Sequence, residues 1–392
     1  MRTRLLICLC LGSLLLTLSS WGHHGLFRPA LPAMAQFTTV PSDSAVGAVY
    51  QIDLDGTDLA MLASALTLGD HSYWSPDGWH LATIIQQDGS QQLHFVSING
   101  TESRQVSSEF PGVHAGLAWS PDGQKLVIKA RQDDSARQDM PQQLHVVSVD
   151  GPQSQQVLAE FSGTYGGPAW SPDGQKLATA IRQGDSSDLY VLDLPSGEAT
   201  NLTQDEETND LTVPAWSPDG QRIAYTCGGG GVGLCIIDSD GQSRQAIPSG
   251  TFPSSLRWSP DGQKIAYGNT LSNDSYVTVV DADGSNGIGF EGSSPVWAPD
   301  SQRLAFSSLE GLVIINADGT DRRVIGAHGG RQLWLPNDTQ LVFQSGNEIW
   351  RINADGMALT QVTDFSTEQE IKSFAWLVEG QQLVLAVSQS SN

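Results

Sequence analysis

Residues 170–194 read WSPDGQKLATAIRQGDSSDLYVLDL, and this stretch contains both sequence signatures that decide the fold. The residues SPDG (171–174) form a tight turn, because proline presets φ at the second position, aspartate bonds its own backbone and glycine adopts a positive φ. The segment KLATAI from Lys176 then alternates like a β-strand. The segment LYVLDL from Leu189 is apolar on nearly both faces, which is typical of a strand that lies between two sheets.

Both signatures recur along the chain at a period of about 43 residues. WSPDG occurs five times, with its tryptophan at Trp74, Trp119, Trp170, Trp216 and Trp258. Degraded copies start at Trp297 (WAPDS), Trp334 (WLPND) and Trp376 (WLVEG). The apolar strand with its polar turn also occurs eight times, from Val49, Leu93, Leu144, Leu189, Leu234, Val277, Leu312 and Ile349. A period of 40–45 residues with four short strands is typical of a β-propeller blade.

The phase of the repeat predicts how the ring closes. The repeated region begins with the second half of a unit (46–68) and ends with the first half of one (374–387). These halves complete a blade only if the N-terminal and C-terminal strands pair. We therefore predict an all-β fold: one propeller domain over residues 46–392, with eight four-stranded blades closed by the two ends of the chain. Each repeat tryptophan is expected to pack between neighbouring blades.

The motif W-S-P-D-G-x-x-[LI]-[AV] with a following D-x-D-G turn resembles the TolB-type β-propellers, a WD-repeat-like family. The resemblance covers about 350 of the 392 residues. TolB itself combines a six-bladed propeller with an N-terminal α/β domain. This sequence counts eight units and leaves no room for that domain, so the partners of TolB do not transfer directly. Eight-bladed propellers also precede the hydrolase domain of dipeptidyl-peptidase-like enzymes, and no such hydrolase sequence follows here.

Residues 1–35 have the composition of a secretory leader. Arg2 and Arg4 precede an apolar run over residues 5–18, and Ala33-Met34-Ala35 provides a small-residue cleavage site. We predict a signal peptide (1–35), a short linker (36–45) and a periplasmic or secreted protein that does not stay inserted in the membrane after cleavage. The segment between the apolar run and the cleavage site is long, so an uncleaved anchor is the alternative.

Composition and charge exclude several classes of protein. Only 16% of residues are charged and 41 are glycine, a mixture that favours turns over long helices. The net charge of −23 becomes −26 without the leader, which contains three arginines and no acid. Such a surface repels phosphate backbones, so nucleic acid is excluded as a partner.

Two cysteines remain after the leader, Cys227 and Cys235, on either side of a glycine-rich loop. An even count in an oxidising compartment favours a disulfide between them, and two buried free thiols are the alternative.

Sequence motifs for catalysis are absent. There is no G-x-S-x-G, no Walker motif and no H-E-x-x-H, and the G-x-G-x-x-G at 228–233 precedes a strand instead of a helix. The D-x-D-G turns lack the spacing of a calcium loop, so local turn hydrogen bonds account for them. We predict no catalytic residue, no cofactor and no metal site. His94 and His145, within apolar strands, are expected to bond inside their own blades.

The positions two to six residues before each tryptophan are where the blades differ most, at one mouth of the predicted channel. Varied polar and aromatic side chains on a repeated scaffold indicate a ligand- or partner-binding site, with solvated rim residues as the alternative. The candidates are Asp70, His71, His114, Tyr165, Asp210, Phe252, Glu291, His328, Arg331 and Lys372.

These observations predict a monomeric, non-enzymatic scaffold for an envelope or extracellular protein. The acidic insertions at 133–139 and 204–210 are solvated loops or additional partner contacts. The alternative function is a metal-assisted polysaccharide lyase or hydrolase at the channel mouth. This alternative follows from TolB-like propeller lyases that act on uronic-acid polymers, with His71, His114 or His328 holding the metal.

Overall fold

The computed structural model describes sixteen stretches of the chain, all within the compact unit Pro32–Asn392. They are residues 46–68, 71–87, 90–98, 103–105, 112–131, 141–149, 154–162, 167–183, 186–204, 214–228, 233–271, 274–326, 329–337, 339–365, 368–377 and 382–389. The predicted leader and linker lie outside these residues. No helix with the length and hydropathy of a membrane span occurs among the residues described.

The described residues form eight antiparallel sheets of four strands each, arranged as an eight-bladed β-propeller. The predicted fold class is confirmed. The chain enters through β1 (Val46–Asp53) and β2 (Ala60–Thr67), which belong to the closing blade. Seven blades of four consecutive strands follow, and we number them 1 to 7 in chain order; blade 8 is the closing blade.

Blades 1 to 7 each contain four strands that are consecutive in the chain. Blade 1 has β3 (His71–Trp74), β4 (His80–Gln87), β5 (Ser90–Ser97) and β6 (Ser103–Gln105). Blade 2 has β7 (Gly112–Trp119), β8 (Lys125–Arg131), β9 (Pro141–Ser148) and β10 (Ser154–Ser162). Blade 3 has β11 (Ala169–Trp170), β12 (Lys176–Gln183), β13 (Ser186–Asp193) and β14 (Glu198–Asn201). Blade 4 has β15 (Ala215–Trp216), β16 (Arg222–Cys227), β17 (Gly233–Asp238) and β18 (Gln245–Pro248). Blade 5 has β19 (Ser254–Trp258), β20 (Lys264–Leu271), β21 (Asp274–Asp281) and β22 (Ile288–Glu291). Blade 6 has β23 (Ser293–Trp297), β24 (Arg303–Ser308), β25 (Gly311–Asn316) and β26 (Arg323–Ile325). Blade 7 has β27 (Gln332–Trp334), β28 (Gln340–Ser345), β29 (Glu348–Asn353) and β30 (Thr360–Gln361).

Blade 8 joins the two ends of the chain, as the repeat phase predicted. It consists of β31 (Gln369–Leu377) and β32 (Gln382–Gln389) with β1 and β2, in the order β2-β1-β32-β31. β1 and β32 pair antiparallel from Gly47 opposite Ser388 to Asp53 opposite Gln382. This pairing removes the two free ends that an open array of sheets would expose.

The first strand of each blade forms the inner ring. The indole Nε1 of a repeat tryptophan donates to the backbone carbonyl just before the tryptophan of the preceding blade, at 2.9–3.3 Å. Six such bonds are present within the described residues: Trp119 to Tyr73, Trp170 to Ala118, Trp216 to Ala169, Trp258 to Ala215, Trp297 to Arg257 and Trp334 to Val296. The prediction that these side chains pack between blades is confirmed.

Each hydrophobic cluster of the core lies between two consecutive blades. The cluster around Trp216 and Ile223, for example, unites blades 3 and 4 through Leu189 and Ala178. The cluster across the closure contains Val49 and Val384 from blade 8 and Leu81 from blade 1. The strand that follows the central hairpin of a blade is buried on both faces, as in β17 and β25. Blade packing therefore supplies most of the apolar burial that stabilises the fold.

The Ser-Pro-Asp-Gly turns have the predicted hydrogen bonds. In blade 3, Ser171 Oγ donates to Asp173 Oδ1 (2.5 Å), and the backbone amide of Gln175 donates to the same oxygen (3.0 Å). Gly174 adopts a φ of +66°. In the degraded copy of blade 6, Ser301 takes the same conformation with a φ of +62°. Its Oγ accepts from the backbone amide of Asp261 in blade 5 (2.9 Å), which ties the two turns together.

Acid is expected to weaken this network. The hydroxyl of Ser171 donates a hydrogen bond that lowers the pKa of Asp173 from its ordinary value of 3.8, and serine hydroxyls do the same for Asp122 and Asp219. A carboxylate with a depressed folded-state pKa stabilises the fold above its unfolded pKa and loses that contribution as pH falls through the folded value. We expect urea unfolding to become easier below about pH 4, with a weaker pH dependence in Ser171→Ala. Equal pH dependence of the two proteins would contradict this role of the turns.

Cys227 and Cys235 are joined by a disulfide between β16 and β17, with Cα atoms 5.7 Å apart. Both cysteines are buried. Because the bond closes a short loop, Cys227→Ser/Cys235→Ser is expected to lose roughly 2–3 kcal/mol of unfolding free energy. Chemical denaturation without reductant measures the loss. If the double variant were as stable as the parent, the disulfide would have no stabilising role.

Candidate functional site

The two faces of the ring carry different loops. Because successive strands are antiparallel, all Ser-Pro-Asp-Gly and Asp-x-Asp-Gly turns lie on one face, which we call the turn face. The opposite face, the connector face, carries the central hairpin of each blade and the connector to the next inner strand. The candidate residues that the structure describes belong to the connector face.

The inner strands are irregular where they leave this face. Register shifts interrupt β7, β19, β23 and β31 before their tryptophans. Three residues before the tryptophan, Gly116, Ser255 and Ser294 have φ values of +119°, +52° and +58°. Bulges of this kind change the direction in which side chains point, and they are common beside binding sites. Serine pairs do not predict such a conformation, so the sequence carried no clear signal for the bulges at Ser255 and Ser294.

The structure locates part of the predicted site. Asp70, Tyr165, Asp210 and His328 lie outside the described residues. The strands β3 and β7 carry His71 and His114, opposite Ile84 and Lys129, and only the backbone of these two histidines is described.

The remaining four candidates have different surroundings. Phe252, in the connector before β19, is 48% exposed. Lys372, within β31, forms an ion pair with Glu370 (2.9 Å). Glu291 is the last residue of an outer strand, β22, and not part of an inner strand, because its connector consists of Gly292 alone. Arg331 directly precedes β27. The four residues therefore belong to the ends and connectors of different blades.

Two arginines lie on or next to inner strands. Arg257 belongs to β19, and its Nη1 donates to the carbonyl of Leu256 (3.0 Å). Arg331 directly precedes β27. Both side chains are exposed to solvent, and the protein atoms around each guanidinium lower its pKa, an effect that Tyr73 opposes at Arg331.

Arg257 was not among the sequence candidates because it directly precedes its tryptophan. The equivalent position is alanine in four blades: Ala118, Ala169, Ala215 and Ala375. The other three blades have Tyr73, Val296 and Leu333 there, so the only charged residue at this position is a signal that a comparison of the eight repeats would have found.

A cavity of about 390 Å³ lies between blades 5 and 6 on the connector face. Its lining includes Asp274, Glu291, Leu309, Glu310 and Arg322. Arg322 Nη2 and Glu310 Oε2 form an ion pair at 2.9 Å. Of these residues, only Glu291 was among the sequence candidates. The others come from a hairpin and from strand ends that are distant in sequence from any tryptophan.

The histidines in apolar strands bond within their own blades, as predicted. His94 Nε2 lies 3.4 Å from Gln92 Oε1, and His145 Nε2 lies 3.2 Å from Gln143 Oε1. Burial lowers the pKa of His94. In the part of the chain that the structure describes, no group of three His, Cys, Asp or Glu side chains is placed to hold a metal ion.

The chain is similar to TolB-type propellers in sequence. Residues 136–233 match the family described as the TolB beta propeller domain. The chain is 28% identical to the Protein TolB homolog of Chlorobium luteolum, over 38% of this chain and 32% of that protein. It is 30% identical to the Uncharacterized peptidase YuxL of Bacillus subtilis, over 30% of this chain and 23% of that protein. The chain thus spans less than a third of the length of these curated relatives. The predicted resemblance to TolB-like propellers is confirmed.

Solved structures share the fold. An oligogalacturonate lyase in complex with manganese superposes with a TM-score of 0.54 at 16% identity, covering 89% of this chain and 97% of that one. The oligogalacturonate lyase of Vibrio parahaemolyticus gives a TM-score of 0.52 at 15% identity, covering 77% and 94%. At this level of identity the similarity concerns the propeller alone.

Proposed function

We propose, on the premise that the chain is a TolB-like β-propeller, that it is an exported scaffold without enzymatic activity. Its connector face binds an envelope or extracellular protein, and the scaffold acts as a monomer in the periplasm or the medium. The leader-like residues 1–35 and the disulfide support export, because disulfides persist in oxidising compartments. The likeness to the Tol-Pal system protein TolB of Alcanivorax borkumensis, 33% identical over 15% of this chain and 14% of that protein, supports an envelope partner.

One observation carries the proposal: the hydrogen bonds of the inner ring repeat from blade to blade, whereas the side chains on the connector face differ. The tryptophan bonds repeat from blade to blade with nearly constant length. On the connector face, equivalent segments instead present an exposed aromatic ring at Phe252, an exposed guanidinium at Arg331 and an ion-paired ammonium at Lys372. A rigid scaffold that holds unlike side chains at repeated positions suits specific recognition, since little conformational entropy is lost on binding.

Capture of a partner from envelope extract tests this function. The immobilised chain without residues 1–35 is expected to retain one envelope protein, and Phe252→Ala/Lys372→Ala is expected to retain less of it. Leu59→Ala/Met357→Ala, which removes two exposed apolar side chains near the turn face, is the matched control. Absence of any retained protein, or equal loss in the control, would contradict the proposal.

A second candidate function is a lyase or hydrolase that acts on an acidic polysaccharide. The guanidinium groups of Arg257 and Arg331 favour it, because they would attract the carboxylates of a uronic-acid chain. Elemental analysis distinguishes the two functions. Bound zinc or manganese that disappears in His71→Ala/His114→Ala would support the enzyme, whereas a metal-free protein that retains an envelope partner would support the scaffold.

A further inference from the structure

The cavity between blades 5 and 6 has two exposed carboxylates on one face of a sheet. Glu291 at the end of β22 lies opposite Tyr276 on β21. Asp274, two residues before Tyr276, points to the same side of the sheet because side chains alternate along a strand. Within the described residues, neither carboxylate has a hydrogen bond or an ion pair, and both line the cavity.

The charge of this cavity is unbalanced. Asp274, Glu291 and Glu310 contribute three negative charges, and Arg322 contributes one positive charge that Glu310 already engages. Like charges at neighbouring positions on one face of a sheet repel each other. A cationic group between Asp274 and Glu291 would relieve that repulsion.

The cavity wall also contains a serine hydroxyl with a fixed orientation. Ser307, which lines the cavity, accepts from Gln332 Nε2 (3.0 Å) and donates to the carbonyl of Gly329 (2.6 Å). Its hydroxyl hydrogen is therefore engaged, and its oxygen is an acceptor. Carboxylates beside such an acceptor suit a ligand that carries several N–H donors, as an ammonium or guanidinium group does.

An apolar side chain stands at the rim. Leu309, at the tip of the β24–β25 hairpin, is 95% exposed, the largest exposed fraction among the large apolar side chains described. A free amine or an inorganic cation would not use it. An extended peptide would use Leu309. Neighbouring side chains of an extended segment point in opposite directions, so that one enters the cavity while an adjacent one covers Leu309.

We propose that this cavity binds a lysine or arginine side chain of an extended partner segment, with an apolar neighbour of that residue packed on Leu309. The inference rests on the proposed scaffold function and names the chemistry of its partner. The cavity lies on the connector face, and Glu291 belongs both to its lining and to the candidate binding residues named above.

The test measures binding of fluorescent ten-residue peptides to the chain without residues 1–35. The probes alternate lysine with leucine, lysine with serine, or glutamate with leucine. Asp274→Asn/Glu291→Gln is expected to lower the affinity for the lysine–leucine peptide about tenfold, the effect of two partly screened charge contacts. Leu309→Ser is expected to lower the affinity for the lysine–leucine peptide several-fold and to leave the affinity for the lysine–serine peptide unchanged.

A matched control removes the same charge elsewhere. Asp58 and Glu198 are exposed and lie on blades 8 and 3. Asp58→Asn/Glu198→Gln is expected to change the affinity less than twofold. If this control lost as much affinity as Asp274→Asn/Glu291→Gln, the peptides would be bound by the acidic surface in general and the inference would be wrong. Wild-type affinity for spermidine equal to that for the lysine–leucine peptide would also overturn it.

The partner captured from envelope extract separates the two proposals. If Asp274→Asn/Glu291→Gln retains that partner as well as the parent does, the cavity inference fails while the scaffold function stands. If no partner is captured but the lysine–leucine peptide loses affinity as expected, the scaffold function fails and the cavity remains a site for cationic peptides. Unchanged melting temperatures of both double variants exclude misfolding as the cause.

Discussion

Trp170→Ala is expected to lower the free energy of unfolding by about 3–5 kcal/mol. The side chain is 8% exposed and packs in the cluster that unites blades 2 and 3, with Val127 and Leu144 on one side and Leu177 on the other. Its removal leaves a cavity between two sheets that cannot collapse without moving a blade. It also leaves the carbonyl of Ala118 without its indole donor. Urea unfolding followed by far-UV circular dichroism measures the change.

Two further variants separate the contributions to this loss. Trp170→Phe keeps most of the apolar volume and removes the hydrogen bond, so a loss of about 1–2 kcal/mol is expected. Trp297→Ala removes a tryptophan that makes the same kind of bond, to Arg257, from a more exposed position. Its expected loss is smaller than that of Trp170→Ala. Equal losses at the two tryptophans would contradict the idea that burial between blades dominates.

Leu385→Asp is expected to prevent the blades from closing and to unfold the protein at ordinary temperature. Leu385 is fully buried on β32, opposite Tyr50 of β1 and Phe374 of β31. It belongs to the apolar cluster between blades 7 and 8, where its neighbours include Ile52 and Val342. Burying an unpaired charge costs several kcal/mol, which is comparable to the total stability of a domain. Loss of the cooperative thermal transition is the expected measurement.

Gln389→Asp is the matched control for that variant. Gln389 is the last residue of the same strand and is exposed. The same charge at this site should change the free energy of unfolding by less than about 0.5 kcal/mol. A Leu385→Asp protein with a normal transition would show that β32 is not sandwiched between β1 and β31.

The sequence predicted the number of blades and the closure because both follow from local chemistry repeated in register. Each repeat has a tryptophan, then a turn that needs proline and glycine, then an apolar strand. This order limits the ways in which the strands of one blade can be arranged. Conformations set by neighbouring blades were not predictable. Ser301 holds a positive φ without glycine, and its hydroxyl accepts from the turn of blade 5, a contact that joins residues 40 positions apart.

The candidate site was predicted less completely for a related reason. Its described members do lie on the connector face, and Glu291 lines the cavity between blades 5 and 6. The cavity between blades 5 and 6, however, combines the start of β21 with the hairpin at Leu309, and only packing of the two blades brings them together. Repeat spacing describes one blade at a time and carries no information about such a pair.

Hydrogen exchange of the two chain ends tests the closed ring most directly. Mass spectrometry of peptides covering 46–53 and 382–389 reports whether the backbone amides of β1 and β32 are protected. Because these strands pair over seven residues in the interior of one sheet, we expect them to exchange as slowly as β12 and β13 in blade 3. Rapid exchange at both ends, with slow exchange confined to blades 2 to 6, would contradict a closed eight-bladed propeller.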